Sequence, residues 1–231
     1  MTALEIVLTA VSGALLALVV AIIIVSKIVN KSLEKKVVDY KVLNKSAPEG
    51  GVVFLGDSLT DFYPVHEFIH DERIVNRGIA NETTYDITER LKDVININPK
   101  LVILQAGVND FLRRNIKAPC DVARNIIVLL EKIRQEKIEV KLVSLYPVNK
   151  KKLKISWLYL RKVNNKKILV VNEYLKKYCL TYGIDYIDAY PVLCDDKMNL
   201  NADYTIEGLH LNLNGYDALT PLFKKAIDEV K

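Results

Sequence analysis

Val52-Val53-Phe54-Leu55-Gly56-Asp57-Ser58-Leu59-Thr60 shows a pattern that recurs along the chain. Four apolar residues run straight into a glycine and a polar turn, the mark of a short buried strand that ends at a loop. Similar runs recur downstream at Arg73–Asn76, Leu101–Gln105, Glu139–Ser144 and Asp185–Ile187. Between them lie segments of helical period: Thr83–Ile97, roughly Cys120–Gln135, Leu160–Tyr182 and, at the end, Gly215–Val230. Short strands apolar on both faces, alternating with helices, predict a parallel sheet with a helical layer on each side. In such sheets ligands bind outside the carboxyl ends of the strands, so the residues just after each strand are where chemistry is to be sought.

Upstream of the first strand the sequence changes character. Ile6 to Val25 are twenty consecutive residues without a charge, enough at about 1.5 Å per residue to cross a hydrocarbon core of roughly 30 Å. A cleaved signal peptide is the competing reading. The basic n-region is missing, the apolar run is too long, and Ser26-Lys27-Ile28 is a poor cleavage site, so a single-pass anchor is expected. Glu5 is the only ionisable side chain before the run, whereas Lys27, Lys31, Lys35 and Lys36 follow it, which puts the C-terminal domain on the cytoplasmic side by the positive-inside rule. The expected organisation is a tail and anchor over 1–27, a juxtamembrane helix and linker over 28–49, and one domain over 50–231.

The chain has 231 residues, a net charge of +5 and 50% apolar residues, the apolar excess lying in the first thirty. Its lysines cluster after the apolar run and again at Lys150-Lys151-Lys152-Leu153-Lys154. Neither cluster has the motif or aromatic interleaving of a nucleic-acid reader, so an anionic lipid surface fits the first better and no nucleic-acid partner is expected. The second reads as a solvated loop or as a cationic fringe of the active-site mouth, near Trp157 and Tyr159. Cys120, Cys179 and Cys194 are odd in number and far apart, and read as ordinary thiols in a reducing compartment. His66 and His70 are four apart, a spacing that could put two metal ligands on one helix face, but no third ligand accompanies them and no metal or cofactor is expected.

Ser58 falls at a strand-to-helix turn, where a nucleophile would be exposed and the following helix would offer its amides to a developing negative charge; a plain helix N-cap is the other reading. Asn76-Arg77-Gly78-Ile79 follows the second strand and Gly107-Val108-Asn109-Asp110 the third, so both end in the same crevice. A glycine N–H and an asparagine amide are the parts of an oxyanion hole, although each also occurs as turn punctuation. Near the end, Tyr204-Thr205-Ile206-Glu207-Gly208-Leu209-His210-Leu211-Asn212 offers a histidine just before the last helix. A serine needs a base, and that base needs an acceptor on its other nitrogen; Glu207 is the nearer candidate and Asp203 the reserve.

Four ordered blocks, Gly56-Asp57-Ser58-Leu59, Gly78, Gly107-x-Asn109-Asp110 and Glu207-Gly208-Leu209-His210, together resemble the SGNH/GDSL hydrolases. Asn76-Arg77-Gly78-Ile79 leading to Thr83-Thr84, and Ser144-Leu145-Tyr146-Pro147-Val148-Asn149, resemble the branch of platelet-activating-factor acetylhydrolase-like, lysophospholipase-like and sugar O-acetylesterase-like enzymes. The resemblance implies a three-layer α/β/α sandwich with a flavodoxin-like sheet and a carboxylic ester hydrolase without cofactor. Carried over residue by residue, it implies Ser58 as nucleophile, His210 as base, and Ser58 N–H, Gly78 N–H and the Asn109 side chain as the oxyanion hole. Two positions depart from the family pattern: Glu207 stands where aspartate is usual, and Asn81-Glu82 where Gly-Asp is common. The expected function is a membrane-anchored serine esterase acting on an O-acyl ester of a carbohydrate or lysophospholipid. The alternative is a catalytically degenerate SGNH domain that serves as a membrane-tethered ligand-binding module. Tyr146 and Trp157 are candidates to line its pocket.

Overall fold

The computed structural model describes residues 2–230. Met1 and Lys231, the outer ends of the expected anchor and domain, lie outside the described residues. The chain divides into two compact units, Met1–Tyr40 and Lys41–Lys231. The first is formed by helix α1 (Ala3–Leu43), which continues unbroken past the apolar run because nothing after Val25 stops it: there is no proline or glycine before Gly50 except Pro48. By length and composition this helix can cross a membrane, a property that a signal sequence would share.

The second unit contains the whole buried core. Its sheet has five parallel strands, β1 (Val52–Gly56), β2 (Ile74–Gly78), β3 (Leu101–Gln105), β4 (Glu139–Val143) and β5 (Tyr186–Ile187), in the order β2-β1-β3-β4-β5. Every residue of β1 and β3 is buried, so both faces of the sheet are covered. Strand order reverses at β1, and the register pairs Gly56 with Gly78 on one side and with Gln105 on the other. Three strands therefore end level, and their following loops open into one crevice at the switch point.

The helices are α2 (Ser58–Asp61), α3 (Val65–Phe68), α4 (Thr84–Glu89), α5 (Leu91–Ile95), α6 (Val108–Leu112), α7 (Pro119–Gln135), α8 (Ser156–Tyr159), α9 (Asn165–Tyr182), α10 (Tyr190–Leu193) and α11 (Leu213–Asp228). In α7 the buried residues Val122, Ala123, Ile126, Leu129, Leu130 and Ile133 recur at three- and four-residue spacing, one apolar stripe laid on the core. In α11 Phe223 meets Phe54 of β1 edge to face at 5.4 Å, and Tyr216 stacks on Tyr63 at 5.1 Å.

Each expected strand is present to within two residues at either end, and the helices differ in instructive ways. The expected helix Thr83–Ile97 is two, α4 and α5, broken at Arg90. Arg90 turns inward to satisfy buried acceptors, as described below, and adopts non-helical angles to do so. The expected helix Leu160–Tyr182 starts only at Asn165, where the Asn164 side chain caps the Lys167 N–H; Leu160–Lys162 is a separate 3₁₀ turn. Helix α3 stops at Phe68, so His66 and His70 share no helix face.

Candidate active site

Asp57, not Ser58, caps α2: its carboxylate accepts the Leu59 N–H at 3.0 Å. Ser58 is thereby the first helical residue, its hydroxyl is released from capping, and its N–H has no acceptor within the helix. The hydroxyl Oγ lies 3.0 Å from His210 Nε2. On the other side of the ring, His210 Nδ1 lies 2.6 Å from Glu207 Oε1. Glu207, His210 and Ser58 thus form one unbroken hydrogen-bonded chain across 152 positions of sequence. Asp203, the reserve acceptor, is exposed in a 3₁₀ turn, and the contacts that hold it are made by its backbone.

The loop that carries Glu207 and His210 is tied to itself and to its neighbours. Thr205 Oγ1 donates to the His210 carbonyl, the Ile206 N–H donates to the same carbonyl, and the His210 N–H donates to Glu207 Oε1. Gly208 sits at φ +103°, and a Cβ there would overlap the Asn149 carbonyl, so no larger residue fits. Ser156 Oγ and Tyr159 OH both donate to the Glu207 carbonyl, the latter at 2.8 Å. Partial burial pushes the Glu207 carboxyl upward, but its hydrogen bonds to His210 and the charge of that ring outweigh this, and the net pKa falls below the ordinary glutamate value. The Phe62 ring covers the imidazole at 5.2 Å between centroids.

Asn109 is 5% exposed and donates one amide N–H to the Glu82 carbonyl at 2.9 Å, which fixes the side chain and leaves its second N–H for another acceptor. The Asn109 backbone is steadied by its neighbour: both Asp110 oxygens accept from Thr84, through the backbone N–H and the hydroxyl, and Oδ1 also accepts from Asn125. Gly78 packs where a Cβ would collide with the Thr60–Asp61 backbone, so its glycine identity follows from close approach to α2. Its N–H donates to Asn76 Oδ1 at 2.8 Å. The same Asn76 donates from Nδ2 to the Thr60 and Tyr63 carbonyls, clasping β2 to α2.

Several of these residues carry no local sequence signal. The brace from Ser156 and Tyr159 joins residues about fifty positions apart. Glu82 and Arg90 form a buried ion pair with Nη2–Oε2 at 2.6 Å, while Arg90 Nη2 also reaches the Arg77 carbonyl at the end of β2. The Glu82 departure from the family pattern pointed to the position, though not to its partner. Tyr146 is 5% exposed and packs beneath Leu59 and Thr60 within the core, while Trp157 is 60% exposed.

Comparison with known proteins agrees with this architecture. The model of the GDSL-like Lipase/Acylhydrolase family matches residues 54–218. Among solved structures, a GDSL-like lipase from Bacteroides thetaiotaomicron is 29% identical, with a TM-score of 0.73 over 84% of this chain and 98% of that one. A Bacteroides fragilis protein provisionally described as an acylhydrolase is 28% identical, with a TM-score of 0.74 over 83% and 96%. A protein provisionally described as a platelet activating factor from Streptococcus pneumonia is 26% identical, with a TM-score of 0.78 over 90% and 99%. A search of curated proteins gives no match. With a family model spanning more than half its length, a 2-1-3-4-5 parallel sheet and a serine, a histidine and an asparagine at its carboxyl edge, this chain belongs to the GDSL-like lipase/acylhydrolase family and is a carboxylic ester hydrolase.

Proposed function

We propose that the protein is a membrane-anchored serine esterase that cleaves an O-acyl ester of a carbohydrate or a lysophospholipid through an acyl-enzyme on Ser58. The observation that carries this reading is the hydrogen-bonded chain from Glu207 through His210 to Ser58. Glu207 holds the imidazole proton on Nδ1, so Nε2 presents a lone pair to the serine. Ser58 Oγ attacks the acyl carbon while its proton moves to His210 Nε2. The carbonyl electron pair collects on oxygen, where the Ser58 N–H and the second Asn109 N–H are its donors. The family pattern adds the Gly78 N–H as a third donor, and in this structure that N–H is held by Asn76 Oδ1.

Collapse of this intermediate breaks the bond to the alcohol oxygen, which takes the proton from His210 and leaves. Water then enters, gives a proton to the same nitrogen and attacks the acyl carbon; collapse releases the acid and returns the proton to Ser58. Helix α1 is read as a permanent anchor with the hydrolase domain on the cytoplasmic side, on the strength of the lysines that follow the apolar run. A reporter fused after Lys231 that is active only outside the cytoplasm would reverse that orientation.

The test is hydrolysis of p-nitrophenyl esters from acetate to palmitate by the full chain in detergent, with Ser58→Ala as control. Turnover that disappears in Ser58→Ala supports the esterase, and its chain-length profile separates an acetyl-ester substrate from a lipid. Equal turnover by both proteins would remove Ser58 from the mechanism, and none by either would favour the ligand-binding module.

A further inference from the structure

The segment that braces Glu207 carries an unusual outer surface. Leu153, Ile155, Trp157 and Leu158 are 46%, 61%, 60% and 45% exposed, four large apolar side chains within six residues. Their outward direction is fixed by what lies behind them: Ser156 and Leu160 are fully buried, with the Ser156 hydroxyl on the Glu207 carbonyl. Isolated exposed apolar residues are ordinary, but a contiguous cluster marks a surface that meets something apolar.

Lysines stand beside this cluster in the sequence. Lys150, Lys151, Lys152 and Lys154 stand before and within it, and Lys150 and Lys151 also flank a cleft of about 590 Å³ together with Lys166 and Lys197. Apolar side chains interspersed with lysines match a bilayer whose acyl region lies just below anionic headgroups: the long lysine stems allow the charges to stay at headgroup level while Ile155 and Trp157 go deeper. Tryptophan favours that depth. An acidic protein groove would satisfy the lysines, but the same chain carries a helix apolar enough to cross a bilayer, and that makes a bilayer the partner its sequence points to.

We propose that residues 150–158 form an interfacial patch that docks the hydrolase domain on an anionic phospholipid surface and presents esters of that surface to Ser58. Docking on a bilayer stands on the patch together with the apolar helix α1; the delivery to Ser58 rests on the proposed function above. The patch is one hydrogen bond from the loop of Glu207 and His210, so an ester held at the bilayer surface enters beside the reacting serine.

Trp157 is the only tryptophan of the chain and so reports on the patch without labelling. The full chain is reconstituted in vesicles of phosphatidylcholine, with and without phosphatidylglycerol, so that α1 inserts in both and any difference belongs to the patch. In the anionic vesicles Trp157 emission should move to shorter wavelength and be quenched by brominated acyl chains. Both effects should vanish in neutral vesicles, in high salt and in the triple variant Lys150→Glu, Lys151→Glu, Lys154→Glu. The variant should hydrolyse water-soluble p-nitrophenyl acetate as the parent does, yet lose roughly tenfold or more on an ester embedded in the anionic bilayer. Equal emission and quenching in neutral and anionic vesicles would overturn the proposal. So would a blue shift that grows with protein concentration in lipid-free detergent, which would assign the patch to a second copy of the chain. Failure of the parent on p-nitrophenyl acetate would instead refute the esterase reading and leave the Trp157 result standing.

Discussion

Glu207→Gln removes one charge and leaves the shape of the loop. The Glu207 carbonyl, which accepts from Ser156 and Tyr159, is backbone and is untouched, so the fold around His210 should persist. What changes is the acceptor Oε1, which takes both the His210 backbone N–H and the 2.6 Å contact from Nδ1. A carboxylate only accepts, and so fixes the ring proton on Nδ1; a glutamine amide can turn its NH₂ toward the ring and stabilise the opposite tautomer, with the proton on Nε2 facing Ser58. In that state the imidazole cannot take the serine proton. Loss of the correct tautomer in this kind of constellation lowers kcat by about 10⁴, or about 5 kcal/mol of barrier. Glu207→Asp withdraws the carboxylate by one methylene, and a contact of 2.6 Å does not survive a retreat of that size, so it too should be slow, recovering part of the rate through water or loop adjustment. Asp203→Ala, at an exposed position whose contacts run through its backbone, should change kcat by less than about twofold. The assay is kcat on p-nitrophenyl acetate for the parent and the three variants, with melting temperatures to confirm an intact fold. Glu207→Gln within tenfold of the parent, or an Asp203→Ala loss as large as that of Glu207→Gln, would show that Glu207 does not hold the His210 tautomer.

Two further predictions concern the frame of the site, both measured by urea unfolding of the Lys41–Lys231 unit. Burial pushes the Asp57 carboxyl from its ordinary 3.8 up to about 7, an effect that the Leu59 N–H and the charge of His210 offset only in part. Between those values the folded chain retains a proton that the unfolded chain has released, so Asp57 favours folding at low pH and that contribution is lost as pH rises through about 7. Asp57→Asn keeps the cap acceptor and has no proton to lose; its stability relative to the parent should improve by up to about 4 kcal/mol from pH 4 to pH 8, and equal pH slopes would sink the idea. Arg90→Ala strands the Glu82 carboxylate in a site where the two side chains are 7% and 10% exposed, and should cost about 3–5 kcal/mol. The double variant Glu82→Leu, Arg90→Met should recover more than half of that, and a cost under about 1 kcal/mol for Arg90→Ala alone would show that the pair does not hold the site together.

The sheet was legible because its signal is local. Val52–Leu55 and Leu101–Gln105 are apolar throughout, as strands buried on both faces must be, and each ends in a turn that the sequence spells out. The Ser58 and Asn109 positions were legible for a related reason: a parallel sheet brings its strand ends together, so residues just after strands become neighbours whatever their separation in sequence; His210, well past β5, stood out instead as a histidine in an ordered block just before the last helix. Tertiary demands hid the rest. Helical period runs smoothly through Thr83–Ile97, yet the helix breaks at Arg90 because buried acceptors at Glu82 and Arg77 claim its guanidinium. Ser58 could have been a cap by its sequence; only the 3.0 Å bond from Leu59 to Asp57 assigns that task to its neighbour. The Tyr159 brace on Glu207 joins α8 to the loop before α11, and no periodicity encodes such a contact. Asn76 was quoted from the sequence as part of a block, but its clasp on Thr60 and Tyr63 depends on the register of β2 against α2.

The proposed mechanism requires that Ser58 be a nucleophile made reactive by His210. Its most direct test is labelling of the full chain with a fluorophosphonate, followed by peptide mass spectrometry. A single phosphonyl adduct on Ser58 is expected, lost in Ser58→Ala and strongly slowed in His210→Ala. An unlabelled Ser58 in folded protein, or an adduct that forms equally fast without His210, would contradict it.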